Sequence, residues 1–258
     1  MPEGDTVYRT ARNLASALDG RQLVTCDLRV PAFATVDLSG LIVDEVVSRG
    51  KHLLIRVGNY SIHSHLKMEG SWHLYQHGTP WRRPEWQARA ILANEQWVAV
   101  GFQLGTLDVV ARDDEASILG HLGPDLLGAD WDPDEALRRL TADCGRAIGL
   151  ALLDQRVLAG LGNVYRNELC FLSGVLPTRP IGDIPNPAKI IALAHRLIDA
   201  NKDRVDRTTT GVLRGASAFV SRREGRPCLR CGTRITRGQL GEDAMQLRDT
   251  YWCGHCQT

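Results

Sequence analysis

Two groups of residues in this 258-residue sequence have the types and spacing for chemistry. The first is Cys228-x-x-Cys231, then 21 residues, then Cys253-x-x-Cys256. Two such turns present four soft thiolates, the number and kind of donor that tetrahedral zinc takes, although the intervening loop is longer than the usual window. Four protein ligands leave no open coordination position. The expected ion is therefore one structural Zn2+ that folds a segment too short to have its own core. His255 lies between two of the cysteines, but the chelate is closed without it, so it is expected at the surface. The second group is Met1-Pro2-Glu3-Gly4. A small second residue lets an initiator methionine be removed, which would expose Pro2 as a secondary amine. A terminal amine titrates near about 8 and a lysine near about 10.4, so the former is partly neutral at neutral pH. Such an amine attacks aldehyde-level carbon and forms an iminium, an electron sink. The adjacent Glu3 can carry protons to or from the reacting atoms. Taken alone, the same residues also read as an ordinary entry to a helix.

These groups need elements to hold them. Val7, Ala11, Leu14 and Leu18 recur at helical spacing until Gly20, so a helix starts almost at the terminus, with Asp5 placed to cap it. Residues 22–30, 41–48, 52–57, 89–93, 96–100 and 106–111 are short β-rich segments separated by turns, which predicts an antiparallel β-sandwich. Helical signals return after Asp113. Asp132-Pro133-Asp134-Glu135 has a cap, a proline at the first helical position and an acid three residues after the cap. Asn186-Pro187 opens a second helix carrying Ile190, Ile191, Ala194, Leu197 and Ile198. Residues 208–226, rich in Gly, Ser, Thr and Arg, are expected to form a mobile loop. The expected fold is multidomain α+β: residues 1–113 a helix plus sandwich, 114–212 helical, and 213–258 a loop and four-cysteine hairpin.

With 43% hydrophobic and 24% charged residues, the chain has the composition of an ordinary globular protein. Its longest apolar runs, such as 98–100 and 148–153, are far too short to span a membrane, and the terminus lacks the layout of a secretion signal, so a cytoplasmic location is expected. The formal charge of +1 hides an uneven distribution, +1 over residues 1–100, −5 over 101–200 and +5 over 201–258. The basic end hints at a nucleic-acid partner. Cys26, Cys144 and Cys170 sit among apolar residues and are expected to be buried free thiols, which suits a reducing compartment.

Further motifs run in order along the chain: Gly50-Lys51-His52-Leu53-Leu54, His65-Leu66-Lys67-Met68-Glu69-Gly70, Leu122-Gly123-Pro124-Asp125, Leu153-Asp154-Gln155 and Ala159-Gly160-Leu161-Gly162-Asn163. Together with the terminus and the cysteine pairs, they resemble the formamidopyrimidine-DNA glycosylase/endonuclease VIII family, nearest its bacterial, actinobacterial endonuclease VIII branch. The resemblance implies a bifunctional DNA glycosylase and AP lyase of base excision repair. It implies an N-terminal sandwich carrying the catalytic terminus, a helix-two-turn-helix domain and a zinc-finger hairpin, with damaged DNA, double- or single-stranded, bound in the cleft between. Pro2 would be the nucleophile and Glu3 its acid–base partner. Lys51 would contact phosphate and assist elimination. Asn163 would contact the DNA backbone, where two glycines free the chain to approach closely. Glu168 matches an acid near the catalytic terminus. Arg248 matches the zinc-finger arginine, whose planar fork suits phosphates and would help the second elimination. Met68 stands where the family inserts a side chain into the base stack.

The enzyme would be a monomer, associated with the nucleoid when on DNA, and would need no cofactor beyond zinc. The Tyr251-Trp252-Cys253 segment points to oxidised pyrimidines and abasic sites, with formamidopyrimidine-type purines the alternative. Three departures bear on lesion choice: Thr6 replaces a second glutamate, the Met68 loop lacks an aromatic wedge, and the zinc loop is long. A non-catalytic damaged-DNA-binding protein of the same fold is the competing reading, favoured if the terminal amine is blocked.

Overall fold

The computed structural model describes residues 2–212 and 214–258. Met1, whose removal would free Pro2, and Leu213, where the last segment is expected to begin, lie outside the described residues. The chain forms two compact units, Met1–His121 and Leu122–Thr258.

In the first unit, α1 (Gly4–Leu18) buries Val7, Ala11, Leu14 and Leu18 along one face, and Gly20 leaves the helix at φ +70°. Asp5 does not cap it. The carbonyl of Glu3 already accepts from the amides of Thr6 and Val7, at 2.9 and 3.1 Å, so Glu3 holds the cap position and Asp5 lies in the first turn. Two four-stranded antiparallel sheets follow. One is ordered β1 (Thr25–Leu28), β6 (Ala88–Ala93), β7 (Trp97–Phe102), β5 (Ser71–Gln76). The other is ordered β2 (Val43–Arg49), β3 (His52–Val57), β4 (Tyr60–His65), β8 (Thr106–Ala111). Their inner faces and α1 share a core that includes Leu28, Leu53, Ile55, Ile62, Leu92 and Ala99, as an antiparallel sandwich requires. β4 and β5 are absent from the sequence expectation. Ile62 is the one apolar residue β4 buries; its other buried residues, Ser61, His63 and Ser64, carry no apolar signal.

The first unit continues past residue 113, where the sequence places its end. α2 (Glu115–Leu119) is tied back to the sheet: the Arg56 guanidinium donates to both Glu115 oxygens at 2.8 and 2.6 Å, and the Ser61 hydroxyl donates at 2.5 Å.

In the second unit, α3 (Pro133–Leu140) starts where the capping signal sets it, with the Asp132 carboxylate accepting from the amides of Asp134 and Glu135. α6 (Pro187–Asp199) starts likewise, with Asn186 accepting from the Lys189 amide. Between them, α4 (Ile148–Ala151) and α5 (Asn163–Leu172) help form the main core, with Leu152, Leu161, Tyr165, Leu169, Ile191, Ala194 and Ile198 fully or almost fully buried. The hairpin of β9 (Thr236–Leu240) and β10 (Arg248–Trp252) has only a small core. Phe171, at the end of α5, packs there with Val220, Ile235, Tyr251, Cys228 and Cys253. The last segment therefore belongs to the second unit. No helix among the described residues is long and apolar enough to cross a membrane. The free thiols differ from one another. Cys170 is buried and Cys26 half-buried, but Cys144 is exposed, its thiol donating to the Thr141 carbonyl at a turn after α3.

Candidate nucleic-acid interface and metal centre

Pro2 and Glu3 immediately precede α1, Pro2 half-buried and Glu3 fully buried. Lys51 stands in the two-residue turn joining β2 to β3. Arg49 pairs with His52 across it, and Gly50 has φ +58°, the positive value that the first central position of a type II′ hairpin turn requires. Pairing of His52 with His65 brings this turn beside the loop after β4. In that loop Lys67 adopts φ +52° and the Gly70 amide closes back on the Leu66 carbonyl at 2.9 Å. Met68 at its tip is 59% exposed, which excludes a core role.

Sequence reasoning missed what lies behind Lys51. His63, its side chain 3% exposed, meets Asp108 through Nδ1 at 3.1 Å and His52 through Nε2 at 2.8 Å. Burial, reinforced by His63, His65, His121 and Lys67, holds His52 down at about 3, and burial with Lys67 and Lys51 holds His65 at about 4. Both histidines are therefore neutral at physiological pH. The polar residues of β4 were the available signal, and without a strand to place them on they could not be read as buried.

In the second unit, Gly160 has φ +109°, a conformation a side chain would strain, just before Asn163 opens α5. Asn163 does not project freely. Its Nδ2 donates to the Asp249 carbonyl at 2.8 Å, and the Arg166 guanidinium donates both to Asn163 Oδ1 at 2.5 Å and to the same carbonyl at 3.0 Å. Those bonds fix the β10 backbone one residue from Arg248, whose side chain is exposed.

Glu168 sits differently from a residue that touches DNA. It is fully buried, and its oxygens accept from the Thr209 hydroxyl at 2.5 Å and from the amides of Phe219, Val220 and Ser221 at 2.8, 2.9 and 2.8 Å. A buried carboxylate with four donors is a fastening. It corrects the picture of 208–226 as a simply mobile loop, because Asn201 also fastens the start: the Thr208 amide donates to Asn201 Oδ1 at 2.8 Å.

The four cysteines of the hairpin converge, with all four Sγ atoms within 4.8 Å of one another and two cross-pairs at 3.5 and 3.9 Å. Bonds of about 2.3 Å to a tetrahedral zinc would set sulfurs about 3.8 Å apart, so this donor set fits that ion. His255 is exposed and outside the cluster.

A sandwich unit that carries an N-terminal helix and a helical unit that ends in a four-cysteine hairpin define a DNA-repair class of fold, and the comparisons agree. The model of the formamidopyrimidine-DNA glycosylase N-terminal domain matches residues 1–102, and that of the formamidopyrimidine-DNA glycosylase H2TH domain matches residues 122–213. A probable endonuclease 8 2 of Streptomyces coelicolor is 53% identical over 100% of this chain and 94% of its own length. A DNA-(apurinic or apyrimidinic site) lyase Nei2 of Mycolicibacterium smegmatis is 50% identical over 100% of this chain and 99% of its own. Among solved structures, MutM in complex with DNA containing carbocyclic 8-oxo-G superposes with a TM-score of 0.82 at 21% identity, covering both chains completely. The Lactococcus lactis Fpg bound to abasic-site DNA gives 0.80 at 20%, covering 99% of each. These two likenesses establish the fold. The chain belongs to the formamidopyrimidine-DNA glycosylase family.

Proposed function

We propose that this chain, a DNA glycosylase and AP lyase of base excision repair by family, removes oxidised bases, pyrimidines before purines, and then cuts the strand. The observation that carries the reading is the similarity to endonuclease 8 relatives over the whole chain, starting at a Pro2-Glu3 pair set at the head of α1. With Met1 removed, the Pro2 nitrogen attacks C1′ of an extruded nucleotide, the bond to the base breaks, and the leaving base takes a proton. Glu3 moves protons at the sugar and at the base. The C1′–O4′ bond then opens, O4′ takes a proton, and the resulting iminium draws electrons from C2′. Loss of the C2′ proton expels the 3′ phosphate, and a second elimination expels the 5′ phosphate, leaving a single-nucleotide gap.

Lys51 and Arg248 meet phosphates, and Asn163 holds the strand that carries Arg248. Glu168 acts through the 209–221 loop, and Met68 enters the stack. One zinc held by Cys228, Cys231, Cys253 and Cys256 folds the hairpin and takes no part in the chemistry. The enzyme works as a monomer in the cytoplasm and on the nucleoid. Duplex and single-stranded oligonucleotides, each with one defined lesion, test the reading. Excision of oxidised pyrimidines with strand cuts ending in phosphate on both sides is expected. Cleavage of none of them, with binding retained, would favour the non-catalytic damage-binding alternative.

A further inference from the structure

The reading above uses Lys51 and leaves the histidines behind it without a task. Their proton positions follow from the hydrogen bonds. A carboxylate can only accept, so His63 Nδ1–H donates to Asp108 Oδ2 at 3.1 Å. In neutral His63 the other nitrogen is then a lone pair, so His52 Nδ1–H donates to it at 2.8 Å and His52 Nε2 is left as an acceptor. His65 is fixed the opposite way. Its Nδ1 accepts from the Lys67 amide at 3.0 Å, so its Nε2 carries the proton and donates.

The groups around His52 are nearly all basic. Arg49 lies opposite on β2, His63 and His65 on β4, Lys67 just beyond, and His121 with its ring centre at 6.2 Å. Lys51 bears on His65. Asp108 is hydrogen-bonded into this group at the far end of the chain of rings. In the free protein, burial and these cations keep His52 and His65 neutral. An arriving phosphate reverses the balance, because an anion favours the protonated ring and the lone pair of His52 is the wrong partner for it.

We propose that His52, His63 and Asp108 form a proton-uptake relay that charges this face of the sandwich when a DNA phosphate docks beside Lys51 and His65. The step balances. A solvent proton binds His52 Nε2, the His52 Nδ1 proton passes to His63 Nε2, and the resulting imidazolium of His63 faces the Asp108 carboxylate. One proton is gained and no hydrogen bond is lost. His52 and His63 are positioning residues, since they act through the docking site and not on the reacting sugar. The inference rests on the DNA-repair reading.

Calorimetry tests it, using the full zinc-loaded chain and a duplex with a non-cleavable tetrahydrofuran abasic analogue, in buffers of different ionisation enthalpy at about pH 6. The complex holds a proton that the free protein lacks, so affinity rises as pH falls. Uptake of about half to one proton is expected, and the slope of log affinity against log salt should steepen by about one unit between pH 8 and pH 6. His52→Gln removes the uptake. Asp108→Asn, which keeps an accepting oxygen at a side chain 40% exposed, leaves the His63 cation uncompensated and reduces the uptake to a small fraction. Binding by the wild type without uptake, or uptake at the wild-type level in either variant, overturns the relay. Failure of the wild type to bind the duplex at all overturns the DNA-repair reading beneath it.

Discussion

Glu168 shows how much one side chain can organise. Four donors from Thr209 and from residues 219–221 converge on it, so the loop's path depends on a negative charge with two accepting oxygens. Glu168→Gln keeps the size but turns an NH2 toward donors it cannot accept from. Leaving buried donors unsatisfied costs about 1–3 kcal/mol. The expected outcome is a lower melting temperature together with faster tryptic cutting in 214–226, zinc content unchanged. Wild-type protease resistance in the variant would show that the fastening is dispensable. Glu168 was visible in the sequence only as a carboxylate five residues after Asn163. Its burial was not, because its partners lie 41–53 residues away on a loop with no periodicity.

At the scale of elements, the β9–β10 hairpin rests on four converging cysteine sulfurs and a small core shared with α5. Removal of the metal by a chelator, or Cys253→Ser, should disorder 228–257 and cost DNA binding and turnover together. Arg248→Ala should retain metal and fold yet weaken binding and lower the salt slope by about one unit, the loss of one phosphate contact. Zinc measured by emission spectroscopy well below one per chain, or an unchanged slope at full affinity, would contradict this. The elements themselves were legible where local chemistry marks them. Cys-x-x-Cys pairs, the Asp132 and Asn186 caps, and the spacing of Val7, Ala11, Leu14 and Leu18 all stand in the structure as the sequence implies. β4 was not, because Ser61, His63 and Ser64 take three of its buried positions and leave Ile62 as the one apolar residue buried there; of the three, His63 is the one hydrogen-bonded to His52. The first compact unit runs to His121, past the expected end at 113, and the Arg56–Glu115 pair that ties in its last helix joins residues 59 apart in sequence.

For the whole molecule, the depressed histidines set a pH limit on stability. In the unfolded chain His52 and His65 titrate near 6.5, and in the folded protein near 3 and 4. Below 6.5 the unfolded state therefore binds more protons, so stability is full above that pH and falls as pH drops from there toward 4. The slope approaches two protons, about 2.7 kcal/mol per pH unit. Glu135, held at about 2 by its bonds to Arg138 and Arg139, weakens only below its ordinary 4.5, so it takes no part in the decline between 6.5 and 4.5. Urea midpoints that stay level between pH 7 and pH 5 would contradict the assignment. The covalent complex with DNA bears most directly on the account as a whole. Borohydride added to the processed enzyme on an abasic-site duplex should reduce the iminium and fix protein to sugar, with peptide mass mapping the link to Pro2. Retaining Met1 should abolish the adduct, and Pro2→Gly should weaken it. An adduct of undiminished yield with Met1 in place, or one mapped to Lys51, would contradict the claim that Pro2 is the nucleophile.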